Sequence, residues 1–171
     1  YTAMMSNART PMFSVKGRTD KASWEVLYKM EADTANLPSP QIVKIENDGF
    51  DLYALMSLPK DFDPTKKYPV ILYFYEKNSE TLYNPRNPAP SRSTVNIPYF
   101  VSNGYVVFVP DIYYKDGHPG QSAMRSIMPG VEMLEKTYPW VDGKNMAIQG
   151  QSWGGYQVAY MITQTNKFKA A

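Results

Sequence analysis

The chain has 171 residues, of which 43% are hydrophobic and 14% aromatic, a composition typical of a folded globular protein rather than a disordered one. Its formal net charge of +2 is too small to argue for binding to nucleic acid or to an anionic membrane. No stretch approaches the ~20 apolar residues of a membrane-spanning helix. The absence of cysteine excludes disulfides and thiolate metal sites and leaves the cellular compartment unknown, secreted or periplasmic as well as cytoplasmic.

The first 40 residues carry only weak strand signals. Residues 14–16 and 24–28 predict short strands on either side of a polar turn that contains glycine. Residues 37–40, Leu-Pro-Ser-Pro, predict a linker, because two prolines in three positions favour extended backbone and oppose a helix. We therefore predict two domains, residues 1–40 and residues 41–171.

From residue 41 onward the strand signals become stronger. Residues 41–46 and 50–58 flank Asn-Asp-Gly, a turn sequence that tolerates positive φ, and so predict a β-hairpin. One face of the second strand is apolar throughout, through Phe50, Leu52, Ala54, Met56 and Leu58. Residues 69–75 and 105–109 are continuous apolar runs that suit strands buried on both faces.

The C-terminal half alternates helix and strand signals. A short helix is predicted over residues 99–103, and apolar residues recur at helical spacing between 124 and 134. Pro129 interrupts the second pattern, so that helix either bends there or begins near 129. A strand over 145–149 and a helix over 154–165 follow. This order after a hairpin predicts an α/β fold with a mostly parallel sheet covered by helices on both faces.

The strongest motif lies between the last predicted strand and the last predicted helix. Here Ser152 stands between Gly150 and Gly154, with Gly155 following, in a Gly-x-Ser-x-Gly-Gly run. Strand, serine and helix in this order are typical of a nucleophile elbow, in which a strained backbone raises the serine hydroxyl above the sheet edge. Side chains at positions 150 and 154 would collide with the neighbouring strand and helix. The alternative is a glycine-rich turn with an incidental serine.

Four segments taken together resemble the catalytic domain of the prolyl oligopeptidase family of serine peptidases, and most of all its dipeptidyl peptidase IV and acylaminoacyl peptidase branches. They are residues 69–75, 104–111, 140–142 and 150–156, and the resemblance covers residues 41–171. It implies the N-terminal part of an α/β-hydrolase fold that acts on peptides. It also implies partners within the same protein: the rest of the catalytic domain and an N-terminal β-propeller, of which residues 1–40 would be the end.

Ser152 is the candidate nucleophile, and it requires a base within hydrogen-bond reach. In α/β-hydrolases the order along the chain is Ser, then Asp or Glu, then His, yet no Asp, Glu or His follows Ser152. The single histidine, His118, lies upstream, and a structural or substrate-side role in its loop suits it better than the role of base. We therefore expect a fragment whose catalytic Asp and His lie outside this sequence, with little activity alone.

Two oxyanion donors are predicted. The backbone N–H of Trp153 would be free at the start of the elbow helix, where the helix dipole favours negative charge. By the resemblance, the hydroxyl of Tyr75 would be the second donor. The family usually has a glycine-rich turn after this tyrosine, whereas this chain has Glu76 and Lys77. The alternative for Tyr75 is an ordinary buried strand tyrosine.

Other polar residues give weaker signals. Asp111 is expected to order the turn that follows it by binding its backbone. Glu76 and Glu80 are either a site for a substrate amino group or solvated loop charges, and Arg86 and Arg92 are either a carboxylate site or surface residues. No nucleotide or metal motif is present, so we predict no cofactor. Two further functions stay open: an esterase or lipase of the same fold, and a non-catalytic binding module on this scaffold.

Overall fold

The computed structural model describes residues 2–7, 10–18, 21–29, 40–47, 49, 51–81 and 91–171. The N-terminal strands form an antiparallel sheet in the order β1-β2-β3, with bounds β1 Thr2–Asn7, β2 Thr10–Arg18 and β3 Lys21–Lys29. The two short strands predicted in this region are therefore confirmed. Most of the predicted linker lies outside the described residues, and the domain boundary near residue 40 stays a prediction.

A second, five-stranded sheet has the order β4-β5-β7-β6-β8. Its strands are β4 Gln41–Ile45, β5 Leu52–Ser57, β6 Tyr68–Tyr73, β7 Val106–Pro110 and β8 Val141–Gln149. The hairpin of β4 and β5 is antiparallel, as predicted, and β5 also pairs antiparallel with β7. β6 pairs in parallel with both β7 and β8. The predicted α/β class is confirmed, with a mixed sheet whose parallel part surrounds β6.

Three α-helices lie in the described part of this region: α1 Ile97–Ser102, α2 Pro119–Thr137 and α3 Trp153–Gln164. α2 runs through Pro129, so the alternative that this helix begins near residue 129 is wrong. It begins at Pro119 instead, where the missing N–H of proline costs nothing because the first turn has no intrahelical acceptor. None of these helices combines the length and the apolar character needed to cross a bilayer.

The core lies on both faces of the five-stranded sheet, because alternate residues of each strand point to opposite sides. Leu72 and Phe108 belong to a large cluster with residues of α2 and with Met161 of α3. Their neighbours Ile71 and Val107 belong to a second cluster with Val101 of α1. The helices therefore cover both faces, as the continuous apolar runs predicted.

Candidate active site

The candidate site lies at one edge of the sheet. β6, β7 and β8 are adjacent and parallel, so their carboxyl ends meet at the same edge, where α/β proteins place their ligand sites. Tyr75 follows β6, Tyr114 follows β7, and Ser152 follows β8. The fold thus brings together segments that are far apart in the sequence.

Ser152 has a strained backbone. Its φ of 55° and ψ of −114° make it the only non-glycine residue with positive φ in the described ranges. Such a conformation costs about 1–3 kcal/mol and persists only where the surroundings enforce it. The residue is exposed and immediately precedes α3. This is the backbone geometry that a nucleophile elbow uses.

The glycines of the motif differ in what surrounds them. A Cβ on Gly150 would lie 2.4 Å from the carbonyl carbon of Gly154, and a Cβ on Gly154 would lie 2.4 Å from the carbonyl oxygen of Phe74. Both contacts are with backbone, which cannot move aside without shifting the strand or the helix. A Cβ on Gly155 would meet its nearest atom, the Gly150 oxygen, at 3.5 Å, an ordinary contact. Sterics therefore require glycine at 150 and 154, and not at 155.

We expect Ser152→Gly to stabilise the protein by about 1 kcal/mol, because glycine adopts positive φ without strain although it gains more entropy on unfolding. Ser152→Ala is the matched control, since alanine keeps the Cβ and therefore the strain. Denaturant unfolding of both variants measures the difference. Equal free energies of unfolding for the glycine and alanine variants would show that the backbone at position 152 is not strained.

Trp153 is the first residue of α3, and its backbone N–H has no acceptor within the helix. Its side chain is held on two sides. The indole Nε1 donates to the Tyr114 hydroxyl at 3.0 Å, and the ring stacks on Tyr156 with centroids 5.2 Å apart. These contacts fix the residue that directly follows Ser152.

Tyr75 lies beyond the end of β6, and 40% of its surface is exposed, so the alternative of a buried strand tyrosine is wrong. Its carbonyl oxygen accepts hydrogen bonds from the Tyr114 hydroxyl at 3.0 Å and from Gln157 Nε2 at 3.2 Å. Its Cα lies 3.7 Å from the position that a Cβ on Gly154 would occupy. The loop after β6 therefore rests directly on the first turn of α3.

Two further residues of this site, Tyr114 and Gln157, were not predicted from the sequence. The Tyr114 hydroxyl accepts from Trp153 and from Gln157 Nε2 while it donates to Tyr75. Burial raises the pKa of Tyr114 above its ordinary value, against the opposing effect of the hydrogen bonds from Trp153 and Gln157. The hydroxyl is therefore protonated at neutral pH and available as a donor. A signal was present, because Trp153 and Gln157 are four residues apart and share one helix face.

Asp111 has a different partner from the one that its position predicted. Its side chain is 1% exposed, and its carboxylate accepts from the backbone N–H of Ser79 at 2.9 Å and from the Ser79 hydroxyl. Ser79 belongs to a 3-10 helix, Asn78–Thr81, in the loop after β6. The prediction that Asp111 orders its own turn is wrong, since it ties the loop after β6 to the end of β7.

The loops after β6 and β7 line an open cleft of about 430 Å³. Its walls include Tyr75, Glu76, Lys77, Glu80, Tyr113 and Tyr114. The Lys77 ammonium lies 4.6 Å from the centroid of the Tyr113 ring, a cation–π distance. Glu76 and Glu80 are exposed, in keeping with solvated loop charges.

The remaining candidates do not join this cluster of contacts. His118 is exposed and precedes α2, where its carbonyl accepts from the backbone N–H and the hydroxyl of Ser122. Arg92 is exposed, and Arg86 lies outside the described residues. Within the described ranges, no group of three or more His, Asp or Glu side chains is arranged to hold a metal ion.

Comparisons with known proteins find similar sequences and similar structures. The model of the prolyl oligopeptidase family matches residues 90–171. Human dipeptidyl peptidase 8 is 28% identical over 167 residues, which cover 88% of this chain and 18% of that protein. Dipeptidyl-peptidase 5 of Porphyromonas gingivalis is also 28% identical, over 72% of this chain and 19% of its own length.

The crystal structure of Porphyromonas gingivalis dipeptidyl peptidase 4 has the same fold, with a TM-score of 0.67 and 23% identity over 97% of this chain and 26% of that one. The chain thus spans less than a fifth of the length of the two curated relatives.

Proposed function

Because the chain belongs to the prolyl oligopeptidase family, we propose that it carries the nucleophile of a serine peptidase, which hydrolyses peptide bonds through an acyl-enzyme on Ser152. The observation that carries the proposal is the strained, exposed Ser152 between the end of β8 and the start of α3. In this position the hydroxyl is accessible to a substrate carbonyl, and the attacked carbonyl oxygen becomes an oxyanion close to the first turn of α3.

Two donors would stabilise that oxyanion. The backbone N–H of Trp153 lies at the positive end of the α3 dipole and has no acceptor within the helix. The hydroxyl of Tyr75 would be the second donor, and the contact of its loop with Gly154 supports this role. One donor of this kind is typically worth about 3 kcal/mol of transition-state stabilisation.

The proton transfers need a base that these 171 residues do not offer in the order that the fold uses. No Asp, Glu or His follows Ser152, and His118 precedes it at the start of α2. We place the catalytic Asp and His on sequence outside these residues, so the 171 residues alone would turn over substrate poorly. The antiparallel sheet of β1–β3 would be the end of a β-propeller in the same protein.

The names of two relatives, both dipeptidyl peptidases, support dipeptide derivatives as the proposed substrate class. We expect the full-length protein to hydrolyse dipeptide amides with a kcat/KM above about 10⁴ M⁻¹ s⁻¹, the lower end of the usual range for enzymes. The measurement is a panel of dipeptide amides beside short acyl esters, together with labelling of Ser152 by phenylmethylsulfonyl fluoride.

The panel also separates the alternatives. Turnover of esters without any hydrolysis of amides would identify an esterase or lipase of the same fold. An unlabelled Ser152 and no turnover of either class would identify a non-catalytic binding module on this scaffold.

A further inference from the structure

Two side chains bind the backbone carbonyl of Tyr75, whereas the carbonyls on either side of it along the loop contact backbone: that of Glu76 accepts from the N–H of Ile112 at 3.0 Å. Phe74 makes the last backbone bond between β6 and β8, from its N–H to the carbonyl of Gln149 at 3.2 Å. One residue later, the Tyr75 carbonyl accepts from Tyr114 at 3.0 Å and from Gln157 at 3.2 Å. We refer to Tyr114 and Gln157 as the anchor pair. They lie on different elements, after β7 and on α3, and converge on one carbonyl oxygen.

Besides the hydrogen bonds of Glu76 and Ser79 to the end of β7, a steric contact constrains this loop. The Phe74 oxygen lies 2.4 Å from the position that a Cβ on Gly154 would occupy, so the loop touches the α3 backbone closely. The two bonds from the anchor pair then set the tilt of the peptide that follows Tyr75. That tilt and the adjoining backbone angles together define where the Tyr75 side chain leaves the chain, so the anchor pair acts on one determinant of its direction.

Gln157 is an unusual residue for packing alone. It is 0% exposed, and its Oε1 has no hydrogen-bond partner within the part of the chain that the structure describes. A buried amide with an unsatisfied oxygen contributes less to stability than an apolar residue of similar volume would. What Gln157 provides instead is a directed donor, from Nε2 to the Tyr75 carbonyl and to the Tyr114 hydroxyl.

We propose that Tyr114 and Gln157 are positioning residues, which aim the Tyr75 hydroxyl at the oxyanion formed on Ser152. The inference rests on the proposed function, because it assigns a role within the same acyl transfer. It adds that α3, which begins directly after the nucleophile, also carries Gln157, one of the two residues that orient the second oxyanion donor.

The test compares Gln157→Leu and Tyr114→Phe with wild type in the full-length protein. We expect each substitution to lower kcat on a dipeptide amide about tenfold with KM little changed, since a small misplacement of a catalytic group has effects of this order. Gln157→Leu should leave the thermal midpoint unchanged or raise it, because it removes a half-satisfied buried amide. Gln164→Leu, at the exposed end of α3, and Tyr105→Phe are the matched controls and should behave as wild type.

A double-mutant cycle distinguishes the proposed positioning role of the anchor pair from a merely structural role. Tyr75→Phe alone should lower kcat about 10²-fold, the usual effect of losing one oxyanion donor. If the anchor pair acts through the Tyr75 hydroxyl, adding Gln157→Leu to Tyr75→Phe should cost less than about twofold. A tenfold loss in both backgrounds, no loss in wild type, or a loss that follows a lower thermal midpoint would overturn the inference.

Failure of this inference is distinguishable from failure of the proposed function. If Ser152→Ala still hydrolyses amides, the assignment of the nucleophile is wrong, and no oxyanion forms at Ser152 that the anchor pair could stabilise through Tyr75. If Ser152→Ala is inactive but Tyr75→Phe keeps full activity, the peptidase assignment stands and the role of the anchor pair is overturned. Loss of activity in both variants, with the non-additive cycle, supports both.

Discussion

In the full-length protein, Ser152→Ala is expected to abolish labelling by phenylmethylsulfonyl fluoride and to lower kcat on dipeptide amides by about 10⁴-fold or more, because the residual rate then depends only on binding and the oxyanion donors. The variant should fold as wild type does. Alanine keeps the Cβ and the positive φ of 55°, and the contacts of Gly150 and Gly154 are unchanged. The only atom lost is the hydroxyl oxygen.

The control for this experiment is Ser93→Ala, a serine with an exposed side chain outside the elbow. It should keep both labelling and turnover. Amide hydrolysis that survives in Ser152→Ala, with unfolding like that of wild type, would mean that another residue is the nucleophile. Unfolding at a lower denaturant concentration would instead show that the hydroxyl has a structural role which its exposure does not reveal.

The elements nearest the site were predictable because their signals are local. Two apolar runs predicted β6 and β7, and the observed strands end within two residues of the predicted ends. The hairpin of β4 and β5 was visible in its turn sequence, and Gly49 does have positive φ, at 101°. Such signals depend on neighbours in the sequence, so a single chain is enough to show them.

The contacts that organise the site were not predictable, because they join residues far apart in the sequence. Asp111 binds Ser79, and Tyr114 binds both Tyr75 and Gln157, across strands whose adjacency the sequence does not state. The two alternatives at Pro129 stayed open for a similar reason. In the sequence alone, a proline indicates the end of a helix. α2 nevertheless continues through Pro129, because Ile127 before the proline and Val131 after it both pack in the core cluster.

The largest effect on stability is expected from Gly154→Ala. Alanine is the better helix former by about 1 kcal/mol, so helix propensity alone predicts a gain. The added Cβ, however, would lie 2.4 Å from the Phe74 carbonyl oxygen. Relief requires α3 to move away from the end of β6, which breaks backbone packing and costs about 2–3 kcal/mol. The same movement displaces Tyr75, so kcat should fall together with stability.

Gly155→Ala is the matched control, one residue further along the same helix. Its Cβ would meet its nearest atom at 3.5 Å, so only helix propensity acts, and the variant should gain about 0.5 kcal/mol with kcat unchanged. Denaturant unfolding and turnover of a dipeptide amide measure both variants. A lower free energy of unfolding in Gly154→Ala and a higher one in Gly155→Ala would establish that contact with the Phe74 carbonyl fixes the position of α3. Similar effects at the two positions would refute it, because only a Cβ at position 154 meets the Phe74 carbonyl oxygen.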